Sequence, residues 1–352
     1  MSAPAAVATL RAHNSSICVI AFHSSNLRLV SGDENGWCIH WSLVTRRPIA
    51  IWKSHEASIL SLLWLSEDLL LTHGRDNKLH VFRLDSQTLD VTIPKVSDNA
   101  PSRSSNWRKP WLVVSIEVNA LNFCGAACQD ENTIAVPGTL DSDTIDIYNL
   151  LPNLTRPFKA IKASEKTGIV MALAFDNNYL IAGYESGHIS VFQLGDAIFS
   201  ELYIFKAHAH PVLALAVHSV DSTFLSVSAD SKIIKHQLTP TTEIMQSIDT
   251  KHAGINSVKI RADQKIFATG SWDGRVRIYL YKSIKLLAAF PAGRQDKIGG
   301  LAFGFYSPTL SHSQTVQTQT TTIKEKLVQK IQDSHWLAVG GKDGRIGLWN
   351  IY

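Results

Sequence analysis

One strand-turn-strand signature recurs along this chain, each copy marked by a turn residue with a ring side chain six positions later. The turn residues are Asn35, Asp76, Asp143, Ser186, Asp230, Asp273 and Asp343. Six positions beyond five of them stand Trp41, Phe82, Phe192, Tyr279 and Trp349; His236 occupies that place after Asp230, and Tyr148 falls within one residue of it after Asp143. Neighbouring turn residues lie 41 to 44 positions apart, except for gaps of 67 before Asp143 and 70 before Asp343. A period near 43 residues built of short strands marks radially stacked sheets, the all-β architecture of a seven-bladed β-propeller. The repeat fills nearly all 352 residues. A length that could hold two domains therefore reads as one ring spanning 1–352, lengthened at about 90–111 and 306–334.

Each unit opens on an apolar run expected to form the inner strand around the channel: Ile17 to Phe22, Ile59 to Trp64, Val118 to Phe123, Val170 to Phe175, Val212 to Val217, Ile255 to Ile260 and Ile298 to Phe303. These runs alternate little, as strands covered on both faces do. Asn35-Gly36, Asp76-Asn77, Ser186-Gly187, Asp230-Ser231, Asp273-Gly274 and Asp343-Gly344 are residue pairs that tolerate the positive φ of a tight hairpin. The last unit ends in its third strand at Leu348 to Tyr352. Residues Ala5 to Arg11, which precede the first inner strand, are placed to supply the missing outer strand and close the ring. Otherwise they form a frayed tail.

Four units carry a hydroxyl four residues before the turn residue (Ser31, Thr72, Ser226, Thr269) and a histidine 21 or 22 residues before it (His13, His55, His208, His252). On these residues the sequence resembles the WD-repeat family, whose histidine, hydroxyl, turn aspartate and strand tryptophan form a buried tetrad within a blade. No unit keeps all four on this reading. Blade 1 has His13, Ser31 and Trp41 but Asn35 in place of the aspartate. Blades 2, 5 and 6 have Asp76, Asp230 and Asp273 but Phe82, His236 and Tyr279 in place of tryptophan. Blade 7 has Asp343 and Trp349 without the histidine. Each tetrad bond contributes about 1 kcal/mol net and a buried partner left alone costs about 1–3 kcal/mol, so members are best lost together. Blades 3, 4 and 7 should then rest mainly on apolar contact.

Hydrophobic residues make up 45% and charged residues 18%, too apolar for disorder. The net charge of +4 is spread along the chain, without the dense Lys/Arg stripe of a nucleic-acid binder. Of Cys18, Cys38, Cys124 and Cys128 only the last two are close, and no second pair completes a zinc set; free thiols in a reducing compartment are expected. The N-terminus lacks a basic segment followed by an apolar stretch, so a soluble intracellular protein is expected. His208-Ala209-His210 has no third metal ligand, and Gly340 to Gly344 coincides with a blade turn and lacks P-loop spacing. A histidine and aspartate that recur at one spacing point to architecture, since a catalytic pair occurs once. No catalytic residue, metal or cofactor is expected.

The insertions are the individual features of this ring. Lengthening a loop from about 5 to 25 residues costs only about 1.4 kcal/mol, so either could be idle. The first ends in a Trp-Arg-Lys-Pro-Trp cluster whose Trp107, Arg108, Lys109 and Trp111 are the candidate partner contacts, because tryptophan and arginine dominate interface hot spots; alternatively one or both tryptophans cap the propeller side. In the second, Ile323, Leu327 and Ile331 at i, i+4 and i+8 predict a short helix with an apolar face and lysines opposite.

Four stretches carry a narrower resemblance: Val118-Asn119-Ala120-Leu121-Asn122-Phe123-Cys124, Ala135-Val136-Pro137-Gly138, Leu180 to Gly187 and Ile260 to Thr269. They look like the fungal ASTRA-associated WD-repeat family and its animal relatives, the G-protein β-subunit-like WD proteins. The likeness runs well through blades 3 to 7 and by register elsewhere. It implies a non-catalytic scaffold in the nucleus, and also in the cytoplasm, as part of the ASTRA assembly linked to chromatin remodelling. Its implied partners are the TTT cochaperone, which matures phosphatidylinositol-3-kinase-related kinases, and RuvB-like ATPases. The alternative is a propeller that reads histone tails or another acidic or peptide ligand. Membrane and direct nucleic-acid partners are not implied.

Overall fold

The seven repeats fold into seven four-stranded antiparallel sheets arranged as blades of a closed ring. The computed structural model describes residues 5–84, 109–119, 123–195, 198–239, 246–292, 297–305 and 322–351. Blade 1 shows the pattern: an inner strand Ile17–Phe22, then Arg28–Asp33, Trp37–Ser42 and the outer strand Arg47–Lys53. Its second strand is buried at every position, because blades cover it on both faces.

Neighbouring blades meet through a repeated contact between a small residue and a branched one. The residue after the second-strand hydroxyl position is glycine in blades 1, 4, 6 and 7, and a branched side chain opening the next inner strand packs against it. A methyl group on Gly32, Gly183, Gly270 or Gly340 would stand within 2.9 Å of Ile59, Val212, Ile298 or Ile17 respectively. Glycine is required there by close approach. The Gly340–Ile17 pair joins the last blade to the first. In six blades the inner strand also has a register shift just after its first residue, from Ile17/Val19 in blade 1 to Ile298/Gly300 in blade 7. A bulge of this kind raises the local twist, and its repetition gives the blades a common form.

The N-terminal segment closes the ring as expected. Ala8–Arg11 pairs antiparallel with Arg345–Asn350, Ala8 opposite Leu348 and Arg11 opposite Arg345. Leu10 is fully buried in the core that joins blades 7 and 1. The seventh sheet therefore has no open edge at its third strand.

Blade 3 departs from the expectation. Its inner strand is Ala127–Cys128, not Val118 to Phe123. Val118 and Asn119 form a connection in which Asn119 Nδ2 donates to Gly138 O (2.7 Å) and Ser142 Oγ (3.1 Å). Residues 120–122 lie outside the described residues. The preceding blade has His73 where others have the contact glycine, and its Nδ1 accepts the Ala126 N–H at 3.1 Å. A polar bridge thus replaces the glycine–isoleucine contact at this junction.

The second insertion contains the expected helix, Ile323–Gln332. Thr322 Oγ1 accepts the Glu325 N–H, and Glu325 Oε2 accepts the Thr322 N–H, a reciprocal capping box. The packing face differs from the one expected. Val328 and Ile331 pack on the blade 7–blade 1 core, whereas Ile323 is 89% exposed and Leu327 is also exposed. The C-terminal end fixes this orientation: Asn26 Nδ2 donates to Ile331 O, Gln332 O and Ser334 O, and the Trp336 indole N–H donates to Ile331 O.

Candidate functional site

Within a blade the chain reverses at each strand, so the second-to-third hairpins and the links between blades lie on one face of the ring, here the hairpin face. The inner-to-second and third-to-outer connections lie on the other, here the insertion face. The tetrad residues stand toward the hairpin face.

Blade 1 contains a complete tetrad, against the sequence expectation. His13 Nδ1 bonds Asp33 Oδ2 at 2.9 Å, His13 Nε2 meets Ser31 Oγ at 2.7 Å, and the Trp41 indole N–H donates to Ser31 Oγ at 2.8 Å. The aspartate is Asp33, two residues before the exposed Asn35. Its Oδ1 accepts the N–H groups of Asn35 and Trp37, both at 3.0 Å. Burial raises the Asp33 pKa, but the His13 and backbone bonds outweigh it and hold the carboxyl below its ordinary range.

Blades 2 and 5 build related networks. His55 joins Asp76 (2.8 Å) to Thr72 (2.8 Å), and Ser54 Oγ takes the remaining place on the Thr72 hydroxyl (2.8 Å). His208 joins Asp230 (3.0 Å) to Ser226 (2.7 Å), and His236 Nε2 reaches Ser226 Oγ at 2.7 Å, taking over the tryptophan's role. Burial and the nearby His208 lower the His236 pKa to about 3.

Blade 6 does not form the expected tetrad. His252 is exposed and unbonded to Thr269, while Asp273 pairs with Arg277 Nη2 at 2.5 Å. Arg277, on the third strand, lies close enough to take the carboxylate by a bidentate-capable guanidinium. In blade 7, Asp343 accepts the Arg345 N–H at 3.2 Å, and Trp349 is buried against Phe290. Blade 3 has a polar core that the expectation of apolar support missed: the fully buried Asp146 accepts from the Thr139 N–H and hydroxyl, the Ala160 N–H and Arg156. In blade 4, Ser190 donates to Glu201 at 2.7 Å. Asp146 and Arg156 lie off the repeat register, so no spacing rule pointed to them.

The Asp–His–Ser arrangement of blades 1 and 5 has the connectivity of a hydrolytic triad. Its chemistry is blocked by its setting. Ser31 and Ser226 are 0% exposed, and each hydroxyl already holds a second partner, Trp41 or His236. A substrate carbonyl has no approach to either oxygen, so these networks act as buried struts. Cys38 and Cys124 are buried as well, and burial pushes both thiols up, away from the thiolate a nucleophile needs. Among the described residues no His/Cys/Asp/Glu group could hold a metal ion, and no helix is long and apolar enough to cross a membrane.

The surface features are more individual. Of the candidate contact cluster, Trp107 and Arg108 lie outside the described residues. Lys109 is exposed, and Trp111, the first residue of the blade 2 outer strand Trp111–Glu117, is 75% exposed at the insertion face. That exposure excludes a capping role for Trp111. On the hairpin face Arg75 lies 4.5 Å over Phe123 and Lys297 lies 5.4 Å over Trp272, two cation–aromatic pairs. A groove of about 310 Å³ runs between the outer strands of blades 3 and 4, lined by Phe158, Phe192, Phe199 and Lys159 among others. Blade 6 alone has a lysine on its inner strand among the described residues: Lys259, exposed in Ile255–Ile260.

Comparison with known proteins adds the family. The family model described as ASTRA-associated protein 1 matches residues 6–297. The ASTRA-associated protein 1 of Penicillium rubens is 34% identical, covering 97% of this chain and 96% of its own; that of Yarrowia lipolytica is 32% identical over 99% and 95%. The Schizosaccharomyces pombe protein of the same name is 29% identical over the full length of both. Among solved structures, the β-propeller domain of Myceliophteria thermophila Cps50 (Swd1) superposes with a TM-score of 0.69 at 15% identity, covering 99% of this chain and 100% of that one, a likeness of fold alone. With its family model matching most of the ring and relatives aligned end to end, this chain belongs to the ASTRA-associated protein 1 family.

Proposed function

We propose that this chain is a non-catalytic scaffold subunit of the ASTRA assembly, acting in the nucleus and, in part, in the cytoplasm. In this role it contributes to chromatin remodelling and works with the TTT cochaperone and RuvB-like ATPases in maturing phosphatidylinositol-3-kinase-related kinases. The observation that carries the reading is end-to-end similarity to proteins named for ASTRA association. A rigid ring whose triad-like networks are sealed supports a binding role, because blades that stack only on neighbours offer broad faces to partners.

Acute depletion of the chain tests the proposal. The reading expects the kinases to fall in abundance while their messages stay constant; unchanged kinase levels after complete depletion would refute the maturation role. A second reading, an acidic peptide ligand at the channel mouth, is favoured by the cation–aromatic pairs Arg75–Phe123 and Lys297–Trp272. It expects peptide binding that weakens steeply with salt, and salt-insensitive binding would exclude it.

A further inference from the structure

Both overlong repeats lengthen connections of the same face. The first connects the third and outer strands of blade 2 and the second the inner and second strands of blade 7, so their described ends, Leu84 with Lys109 and Phe305 with Thr322, lie toward the insertion face. That face also presents exposed apolar side chains from separate blades: Trp111, Leu154, Ile198, Val220 and Phe305. The helix Ile323–Gln332 stands on it.

The helix is divided in an unusual way. Val328 and Ile331 hold it to the ring. The outward side carries Ile323, Lys326, Leu327 and Lys330, spaced i, i+3, i+4 and i+7, all exposed. Two aliphatic and two cationic side chains thus form one stripe. The acids of this segment are already occupied: Glu325 in the capping box, and Asp333 Oδ1 by Gln329 Nε2 at 2.9 Å. Among the described residues Lys326 and Lys330 make no ion pair. A ten-residue helix is marginal alone in water, yet this one is capped at its start and tied at its end by Asn26 and Trp336. It is held ready, so a partner meeting it loses little additional freedom.

We propose that the stripe Ile323, Lys326, Leu327 and Lys330 is the docking site for an acidic amphipathic helix of a partner protein. That helix would place aliphatic side chains on Ile323 and Leu327 and carboxylates beside Lys326 and Lys330. Charge complementarity selects this occupant: the outward stripe itself carries Lys326 and Lys330 and no carboxylate, so an acidic helix gains attraction and a basic one is repelled. The proposal rests on the reading of this chain as an assembly subunit.

The test uses the purified native assembly containing the full chain, treated with a carbodiimide that joins an amine to a carboxylate without a spacer. The expected products link Lys326 or Lys330 to an aspartate or glutamate of another subunit. The paired variants K326E/K330E and I323S/L327S should each lower recovery of that subunit at least tenfold. Their melting temperatures should match wild type because the positions are exposed, and K342E on the hairpin face should leave recovery unchanged. Links confined to this chain's own residues 85–108 or 306–321, links to a second copy, or full recovery with both paired variants would each overturn the proposal. A wild-type chain that never enters the assembly would instead overturn the reading beneath it, and the wild-type arm shows this separately.

Discussion

Replacing Asp33 with alanine separates the tetrad in the structure from the one its sequence register suggests. The change removes a carboxylate that accepts three bonds: His13 Nδ1 at 2.9 Å, and the N–H groups of Asn35 and Trp37 at 3.0 Å each. Asp33 and the His13 side chain are almost wholly buried, so water cannot easily take over at the ring nitrogen. A buried donor left unpaired costs about 1–3 kcal/mol, and the two turn N–H groups, nearer solvent, lose roughly 1 kcal/mol each of net bonding. The expected total is about 3–5 kcal/mol. Asn35 is exposed, and its side chain adds nothing to the tetrad, so Asn35→Ala should cost roughly 0.5 kcal/mol or less. Urea unfolding followed by tryptophan fluorescence measures both, with Trp41 reporting from inside the affected network. Equal destabilisation by the two variants, or a larger effect from Asn35→Ala, would refute the reasoning.

Other outcomes follow from the same physics. Burial lowers His40 and His236 to about 3 and His73 and His80 to about 4, so the unfolded chain binds protons more readily than the folded one below its ordinary histidine range. Stability should therefore be full above about pH 6.5 and fall as pH drops toward 4, by up to about 1.4 kcal/mol per pH unit for each such histidine; a urea midpoint that is flat from pH 7 to 5 would contradict this. Gly340→Val, which drives a side chain against Ile17 at the ring closure, should cost about 1–3 kcal/mol or more, read from the same midpoint. Leu10→Ala, in the strand that completes the last blade, should cost about 2–5 kcal/mol, and an unchanged midpoint would mean that strand is dispensable.

The ring was legible because its evidence is repeated: period, turn pairs and inner runs each appear several times, and one imperfect copy does not hide the rest. Individual networks were less legible, because a side chain reaches its partner through space. Asp33 takes the aspartate's place from two residues off register, since the hairpin backbone brings its carboxylate to His13. Asp273 is held instead by Arg277, whose guanidinium reaches it along the third strand, while His252 lies exposed. The helix was visible from its spacing, but its orientation was not. Asn26 and Trp336, hundreds of residues and a few residues away respectively, decide which side faces the ring. The short inner strand of blade 3 is masked in the sequence because Val118 to Phe123 has the apolar run of a strand, while the ladder hydrogen bonds go to Ala127–Cys128.

Whether this propeller is a subunit of the ASTRA assembly is decided by affinity purification of the full chain at its native level with quantitative mass spectrometry. The TTT subunits and the RuvB-like ATPases should be recovered with it, and purification through a TTT subunit should recover this chain in return. Recovery of the chain without any of them, in both directions, would contradict membership.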